Sequence, residues 1–414
     1  MRFQGWLRMA AAVAAGTLGV VAFAQTTTQT QDVKVGLIAP LSGPFARQGA
    51  LMLQGAQLAV ARINEKGGVK SLGGAKLKLI VADTGDSTEK AKNAAQRLVA
   101  DNPGIVGISG AWSSSFTLAV TEVTERAGIP FVTQSFADQI TARGFKYVLQ
   151  TSAPAGIQAK SALAAILNVS KLASAPTPRK MAVIRDNTAS PTGLMNAIQQ
   201  NGEMQKLGLE VVADEVFTPP MADATSAVQK LRNARPDVLL LLPTVMSDDK
   251  LVLERMNETG LGDGRLPTVA SGAHMAAPEM LKLVGPEVLE NTFVIVANWQ
   301  AKGLEDVVAD YHKKTGEPWM PQESVSTYGD MVFFKEAVEQ AGSVDRQRVM
   351  ASMRALGNKG AVARFYAGNT LEFDETGKRL GASVMILQWQ QGQPKLVYPA
   401  NAAEAKPRWP SKAG

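Results

Sequence analysis

The sequence predicts an α/β protein of two doubly wound lobes, each a parallel sheet covered by helices. Three observations carry that expectation. Short apolar runs alternate with amphipathic stretches from residue 33 onward. The alternation halts at Thr151-Ser152-Ala153-Pro154 and then restarts. The chain, at 414 residues, exceeds what one ordinary core accommodates.

The elements follow in order. The apolar run over 33–39 suits a strand buried in a parallel sheet. In the stretch over 48–65, Leu51, Gly55, Leu58, Ala59 and Ile63 recur at helical spacing, and Gly67-Gly68 ends the helix. Strands are expected over 76–82, 104–109 and 129–133, with helices over 88–100 and 114–126 between them. After the restart come a helix over 157–168, strands over 181–185, 209–216 and 238–242, and helices over 225–233 and 249–259. The last quarter reads as helices over 304–314 and 328–340, then strands over 382–390 and 395–398. Successive βα units call for parallel sheets with helices on both faces. A single eightfold barrel is the alternative, but the interruptions over 153–178 and 297–325 break its regular repeat.

The N-terminus predicts export. Arg2 and Arg8 flank a positive start, residues 9–21 carry no charge, and Ala22-Phe23-Ala24 fits a small-x-small cleavage site before Gln25. Thirteen residues fall short of the about 20 that cross a bilayer, so the stretch reads as a cleaved signal and not an anchor. Cleavage leaves 390 residues and, with Arg2 and Arg8 gone and no acid lost, lowers the net charge from +6 to +4. The chain has no cysteine, which excludes a disulfide framework and a lipid-bearing cysteine; a freely diffusing protein of a closed exported space is expected. With two histidines and no cysteine, neither a metal site nor a cofactor is expected. The lysines are scattered and form no basic stripe with aromatics, which argues against nucleic acid as a partner.

Two loops stand where open α/β sheets place their ligands, beyond the carboxyl ends of strands and at helix N-termini. The first is Pro40-Leu41-Ser42-Gly43-Pro44-Phe45. The second is Ser109-Gly110-Ala111-Trp112-Ser113-Ser114-Ser115. In the second loop, hydroxyls beside free amides suit a carboxylate. A helix cap is the competing role for Ser113 or Ser114, and one residue can serve as both. Trp112 and Phe45 either wall an apolar pocket or fill the edge of the core. His274, in Ala270-Ser271-Gly272-Ala273-His274, is either a general base or, as a lone loop histidine, an exposed side chain or simple hydrogen-bond donor. Asp83, Asp86 and Asp186 open loops, where turn formation competes with paired-carboxylate chemistry. No Gly-x-Ser-x-Gly elbow and no phosphate-binding or dinucleotide fingerprint occurs.

These residues carry a resemblance. Val35-Gly36-Leu37-Ile38-Ala39-Pro40-Leu41-Ser42-Gly43-Pro44-Phe45-Ala46 resembles the opening strand and loop of the leucine/isoleucine/valine-binding family, the periplasmic substrate-binding proteins of branched-chain amino acid ABC transporters. Ala61-Arg62-Ile63-Asn64-Glu65-Lys66-Gly67-Gly68, Gly110-Ala111-Trp112-Ser113-Ser114-Ser115, Ala127-Gly128-Ile129-Pro130 and Thr141-Ala142-Arg143-Gly144-Phe145 support it in order and spacing, from about residue 32 to 400. The resemblance implies a type I periplasmic-binding fold with three crossovers near residues 153, 298 and 380. The first lobe is then 32–152 with 298–380 and the second 153–297 with 381–400, flanked by the signal 1–24, a flexible leader 25–31 and a tail 401–414.

By the same resemblance, Ser113, Ser114 and the segment Gln134, Ser135, Phe136 hold the ligand's carboxylate and backbone. Gln48 stands where an aromatic residue often lines the pocket, and Ser190, Val245 and the Gly272-to-His274 loop close it from the second lobe. Ser190 stands where the amino-acid binders have tyrosine, and the His274 loop lacks their glutamate. Asp186 or Asp248 is left as a substitute receptor for an ammonium. Otherwise the expected ligand is an aromatic or aliphatic acid without one, with His274 as a polar contact. The expected function is that of a periplasmic solute-binding protein, not an enzyme, that hands a small carboxylate-bearing molecule (an amino acid or an aromatic or aliphatic acid) to the membrane permease of an ABC importer and acts as a monomer. A periplasmic hydrolase using His274 and an aspartate, or a ligand-sensing subunit of a signalling receptor, are the alternatives.

Overall fold

The computed structural model describes residues 31–409 apart from 201, 301 and 358–360. The expected signal and all but the last residue of the leader lie outside the described residues. Among the described residues, no helix is long and apolar enough to cross a membrane.

The first sheet holds β1 (Val33–Ala39), β2 (Leu77–Asp83), β3 (Ile105–Gly110), β4 (Phe131–Thr133) and β5 (Val148–Gln150), in the order β2-β1-β3-β4-β5 and parallel throughout. The inner strands β1 and β3 are buried on both faces, which is why they read as continuous apolar runs, while the edge strand β2 is partly exposed. Val35 and Leu37 pack towards the helices Ala46–Glu65 and Gln322–Ala341, while Ile38 faces Thr88–Asp101 and Ser114–Arg126. The helices Ala46–Glu65 and Gln322–Ala341 touch backbone to backbone at Gly55, where a Cβ would stand 2.2 Å from the Ser324 carbonyl oxygen. That close approach seats the first turn of the second helix, with Gln322 and Glu323, at the edge of the lobe.

The second sheet holds β6 (Lys180–Asp186), β7 (Glu210–Phe217), β8 (Val238–Leu242), β9 (Thr268–Ser271) and β10 (Phe293–Val296). After the small ribbon β11 (Glu372–Phe373) with β12 (Arg379–Leu380), β13 (Met385–Gln390) and β14 (Gln393–Tyr398) complete it, in the order β14-β13-β10-β9-β8-β6-β7. The parallel sheet expected here is in fact mixed: β13 runs antiparallel to β10, and β14 to β13. The reason is local. Gln391 (φ 55°) and Gly392 (φ 73°) form a two-residue turn with both φ positive, and so short a turn joins only antiparallel strands. Met181 and Val183 pack against Ala155–Leu172 and Ala189–Gln200, while Ala182 and Ile184 pack against Thr225–Ala234 and Met246–Glu258.

The chain passes between the lobes after Gln150, between Val296 and Leu304, and between Leu380 and Ala382. Residues 401–409, expected as a tail, lie against the second lobe. Gln388 and Gln390 donate to the carbonyls of Arg408 and Lys406, and the Trp409 ring sits 5.3 Å from Phe293.

Candidate ligand-binding site

A cavity of about 70 Å³ lies between the lobes, walled by the loops that follow β3, β4, β6, β8 and β9. Each loop leaves the carboxyl end of a parallel strand, where helix N-termini and irregular backbone leave polar groups open to a ligand.

The first lobe's wall is neutral and held by hydroxyls. Ser114 Oγ accepts from the backbone N–H groups of Phe136 and Ala137, both at 3.1 Å, and so ties the β3 loop to the β4 loop. Ser135 Oγ donates to the Trp112 carbonyl at 2.8 Å and pairs with Thr117 Oγ1 at 2.7 Å. Ser113, at the N-cap of Ser114–Arg126, makes no side-chain cap bond, so the first amides of that helix keep their capacity for an acceptor. Gln134, only 4% exposed, has neither amide atom hydrogen-bonded within the protein although it lines the cavity. A buried amide left unpaired costs on the order of 1–3 kcal/mol, which a ligand contact would recover. Trp112 takes a left-handed φ of 66°, a strained choice for so large a residue, and donates Nε1–H to Glu323 at 3.2 Å.

The second lobe's wall is built on buried acids. Asp186 Oδ1 accepts from the N–H and hydroxyl of Thr188 at 2.9 and 2.6 Å, and Oδ2 from those of Thr244, both at 2.6 Å. One carboxylate thus fixes the loops after β6 and β8. Behind the β9 loop, His274 Nε2 lies 2.8 Å from Asp249 Oδ2, with both side chains within 2% of full burial. Burial opposes charge on His274, but the Asp249 carboxylate outweighs it and raises the imidazole pKa above its ordinary value. Burial pushes the Asp249 carboxyl up to about 6 against the pull of His274. Asp248 and Glu323 are also raised, in both cases by burial first.

The ring of His274 is fixed on three sides. A Cβ on Gly272 would stand 2.4 Å from its Cε1 and 2.6 Å from its Nδ1, so only glycine leaves room there. The indole of Trp112 meets it edge-on from the other lobe at 6.3 Å. The turn Ala273–Ala276 is itself clamped, because Trp389 Nε1–H donates to the Met275 carbonyl at 2.9 Å and Trp319 Nε1–H to that of Ala276 at 2.8 Å.

The cavity brings together Trp112, Ser113, Ser114, Gln134, Phe136, Ser190 and His274 of the expected residues. It does not include Ser42, Phe45, Gln48, Ser135 or Val245. Ser42 is exposed in the loop after β1, and Phe45 packs behind Trp112 at 5.1 Å. Gln48 is buried within the helix Ala46–Glu65. The Ser135 hydroxyl is used up inside the wall, and Val245 is the N-cap of Met246–Glu258, one residue beyond the lining Thr244. His274 is not an exposed loop histidine, because Asp249 draws it inward. Asp186 and Asp248 do not line the cavity either: the first is saturated by Thr188 and Thr244, and the second accepts the Met221 N–H at 3.0 Å.

Sequence reasoning missed Asp249, Glu323 and Gln322. Gln322 Oε1 accepts the N–H groups of Ala297 and Asn298 at 2.7 and 3.1 Å and lines the cavity. The available signals were Pro321, a helix-start residue directly before Gln322, and the doubled acid Asp248-Asp249 in the first turn of a helix.

Known proteins resemble this chain in sequence and in fold. The family model described as periplasmic binding protein matches residues 32–394. A Leu/Ile/Val-binding protein homolog 7 of Brucella suis biovar 1 is 29% identical over 389 residues, covering 92% of this chain and 94% of its own length. A leucine binding protein of Thermotoga maritima superposes with a TM-score of 0.73 at 22% identity, covering 88% of this chain and 97% of its own. A solute binding protein of R. palustris in complex with benzoate also reaches 0.73, at 18% identity, over 90% of this chain and 98% of its own.

Proposed function

Because the chain belongs to the periplasmic binding protein family, we propose that it captures a small carboxylate-bearing molecule between its lobes and delivers it to the permease of an ABC importer. One observation carries the ligand class. The uncapped N-terminus of Ser114–Arg126 and the unpartnered amide of Gln134 open into the same inter-lobe cavity. Amides and helix N-termini hold carboxylates without a counter-cation. The leucine binding and benzoate-bound neighbours bracket the candidates, one an amino acid and the other an aromatic acid.

Ligand joins two walls on separate lobes, so it favours the closed form, and that form is the one a permease reads. In this reading the protein works in the periplasm, untethered and as a monomer; the family and the signal-like pattern of residues 1–24 support the compartment, and the lack of a cysteine supports the absence of a lipid tether. Capture without turnover is the reading. His274 bonds a carboxylate, and among the described residues no hydrogen bond joins it to a serine or threonine hydroxyl.

A thermal-shift screen of amino acids against aromatic and aliphatic acids tests this. A ligand at 100 times its Kd adds about 2.7 kcal/mol to the folded state and raises the melting temperature accordingly. No shift with any member of either class would overturn the ligand class.

A further inference from the structure

The cavity has its one imidazole at an instructive place. Trp112 adjoins Ser113 in the chain and meets His274 across the cleft at 6.3 Å. His274 and the open amides of Ser114–Arg126 thus line one cavity from opposite lobes, with the Trp112 indole reaching across to the imidazole. With Nε2 engaged by Asp249, the Nδ1 edge lies along Gly272, which lines the cavity beside it.

We propose that His274, oriented by Asp249, closes on the acid end of the ligand opposite the helix amides, and that the site thereby selects small organic acids carrying no ammonium beside the carboxylate. This deepens the solute-binding reading and rests on it. Two arguments support the exclusion. First, among the described residues no aspartate or glutamate lines the cavity. The acids nearest His274 stand behind that lining: Asp186 holds four donors from Thr188 and Thr244, while Asp248 accepts the Met221 N–H, Asp249 holds His274 and Glu323 accepts from Trp112, each of these three with its second oxygen buried and unpartnered. An ammonium shut in without a carboxylate pays a desolvation penalty that nothing in the lining offsets. Second, with Nε2–H given to Asp249 and its charge favoured by that carboxylate, a protonated His274 presents Nδ1–H to the cavity, the wrong partner for an ammonium and the right one for a carboxylate or an adjacent carbonyl oxygen.

His274 is thus a ligand-touching residue and Asp249 a positioning residue. The pairing gives each lobe a donor set for the same acid group. Binding that group then draws the lobes together.

The test is isothermal titration of the mature protein with L-leucine, 4-methyl-2-oxopentanoate and benzoate. The second has the carbon skeleton of leucine with a keto oxygen in place of the ammonium. The keto acid or benzoate is expected to bind at least tenfold more tightly than leucine. His274→Asn leaves Asp249 a partner but no charge, and should cut acid binding about tenfold and narrow the ratio to leucine. Asp249→Asn should narrow the same ratio, which a loss of stability alone would not do. The comparison in the unmodified protein stands even where a variant folds poorly. Leucine binding as tightly as its keto analogue, or an unchanged ratio in His274→Asn, overturns the inference and leaves solute capture intact. Silence from all three overturns it together with the carboxylate reading.

Discussion

The two walls of the cleft reach similar rigidity by opposite chemistry. On the first lobe, Ser114, Ser135 and Thr117 link the loops after β3 and β4 through neutral hydroxyls and backbone amides. On the second lobe, Asp186 holds two loops by itself, and a buried Asp249–His274 pair stands behind a third. Neutral hydrogen bonds are worth about 0.5–1.5 kcal/mol each and tolerate a change of pH. Buried ionisable pairs are costly to break and respond to protons. The neutral wall suits generic capture of an acid group, while the ionisable wall discriminates between ligands.

The largest expected difference lies in how each wall is supported. Trp319→Ala removes the indole that holds the His274 turn through the Ala276 carbonyl and packs at 5.8 Å on Trp389. It should cost about 3–5 kcal/mol in urea denaturation, as large buried aromatics do, and weaken ligand binding as well. Ser114→Ala, the matching change on the first wall, should cost only about 1–2 kcal/mol. Equal losses would remove the contrast.

The walls should also differ in their response to pH. His274 has its pKa raised above 6.5 in the fold, so its contribution is complete below that value and fades as pH rises through the folded value. Asp249 moves from 3.8 to about 6, so the folded state holds its proton more tightly and loses that advantage as pH rises between the two. Both shifts have the same sign. Unfolding free energy is expected to decline from pH 5 to pH 8, and the double variant His274→Asn, Asp249→Asn should make the decline shallower, leaving the part due to other buried carboxyls such as Asp330, which burial pushes up to about 7. Ser114→Ala should leave it unchanged.

The smallest effect concerns the cleft's outer edge. Arg47 of the first lobe pairs with Glu279 of the second at 2.9 Å while also holding Glu317 at 2.6 Å. Glu279 is partly exposed, so Glu279→Gln should cost at most about 1 kcal/mol. In stopped-flow release of ligand, the off-rate should rise a few-fold at low salt, with little change at high salt.

The neutral wall was also the legible one. Its helix start, Trp112 and the three serines follow the six-residue strand β3, and Gln134 and Phe136 follow β4, which lies within the apolar run over 129–133. The second wall was legible at β6 and β8, but the His274 loop hangs on β9, a strand of four residues that is too short to show a period and was not expected from the sequence. Asp249 lies 25 positions from His274, so only the fold brings them together. The helix Gln322–Ala341 was expected to start at Tyr328 because it is buried nearly all round, which erases the one-sided pattern that marks most helices. Its first turn carried Gln322 and Glu323 out of view.

The most direct test of the two-wall account is mass spectrometry of the small molecule released on denaturing freshly purified protein. The account predicts a low-mass carboxylic acid with no amine nitrogen. An α-amino acid, or a ligand with no carboxyl group, would contradict it.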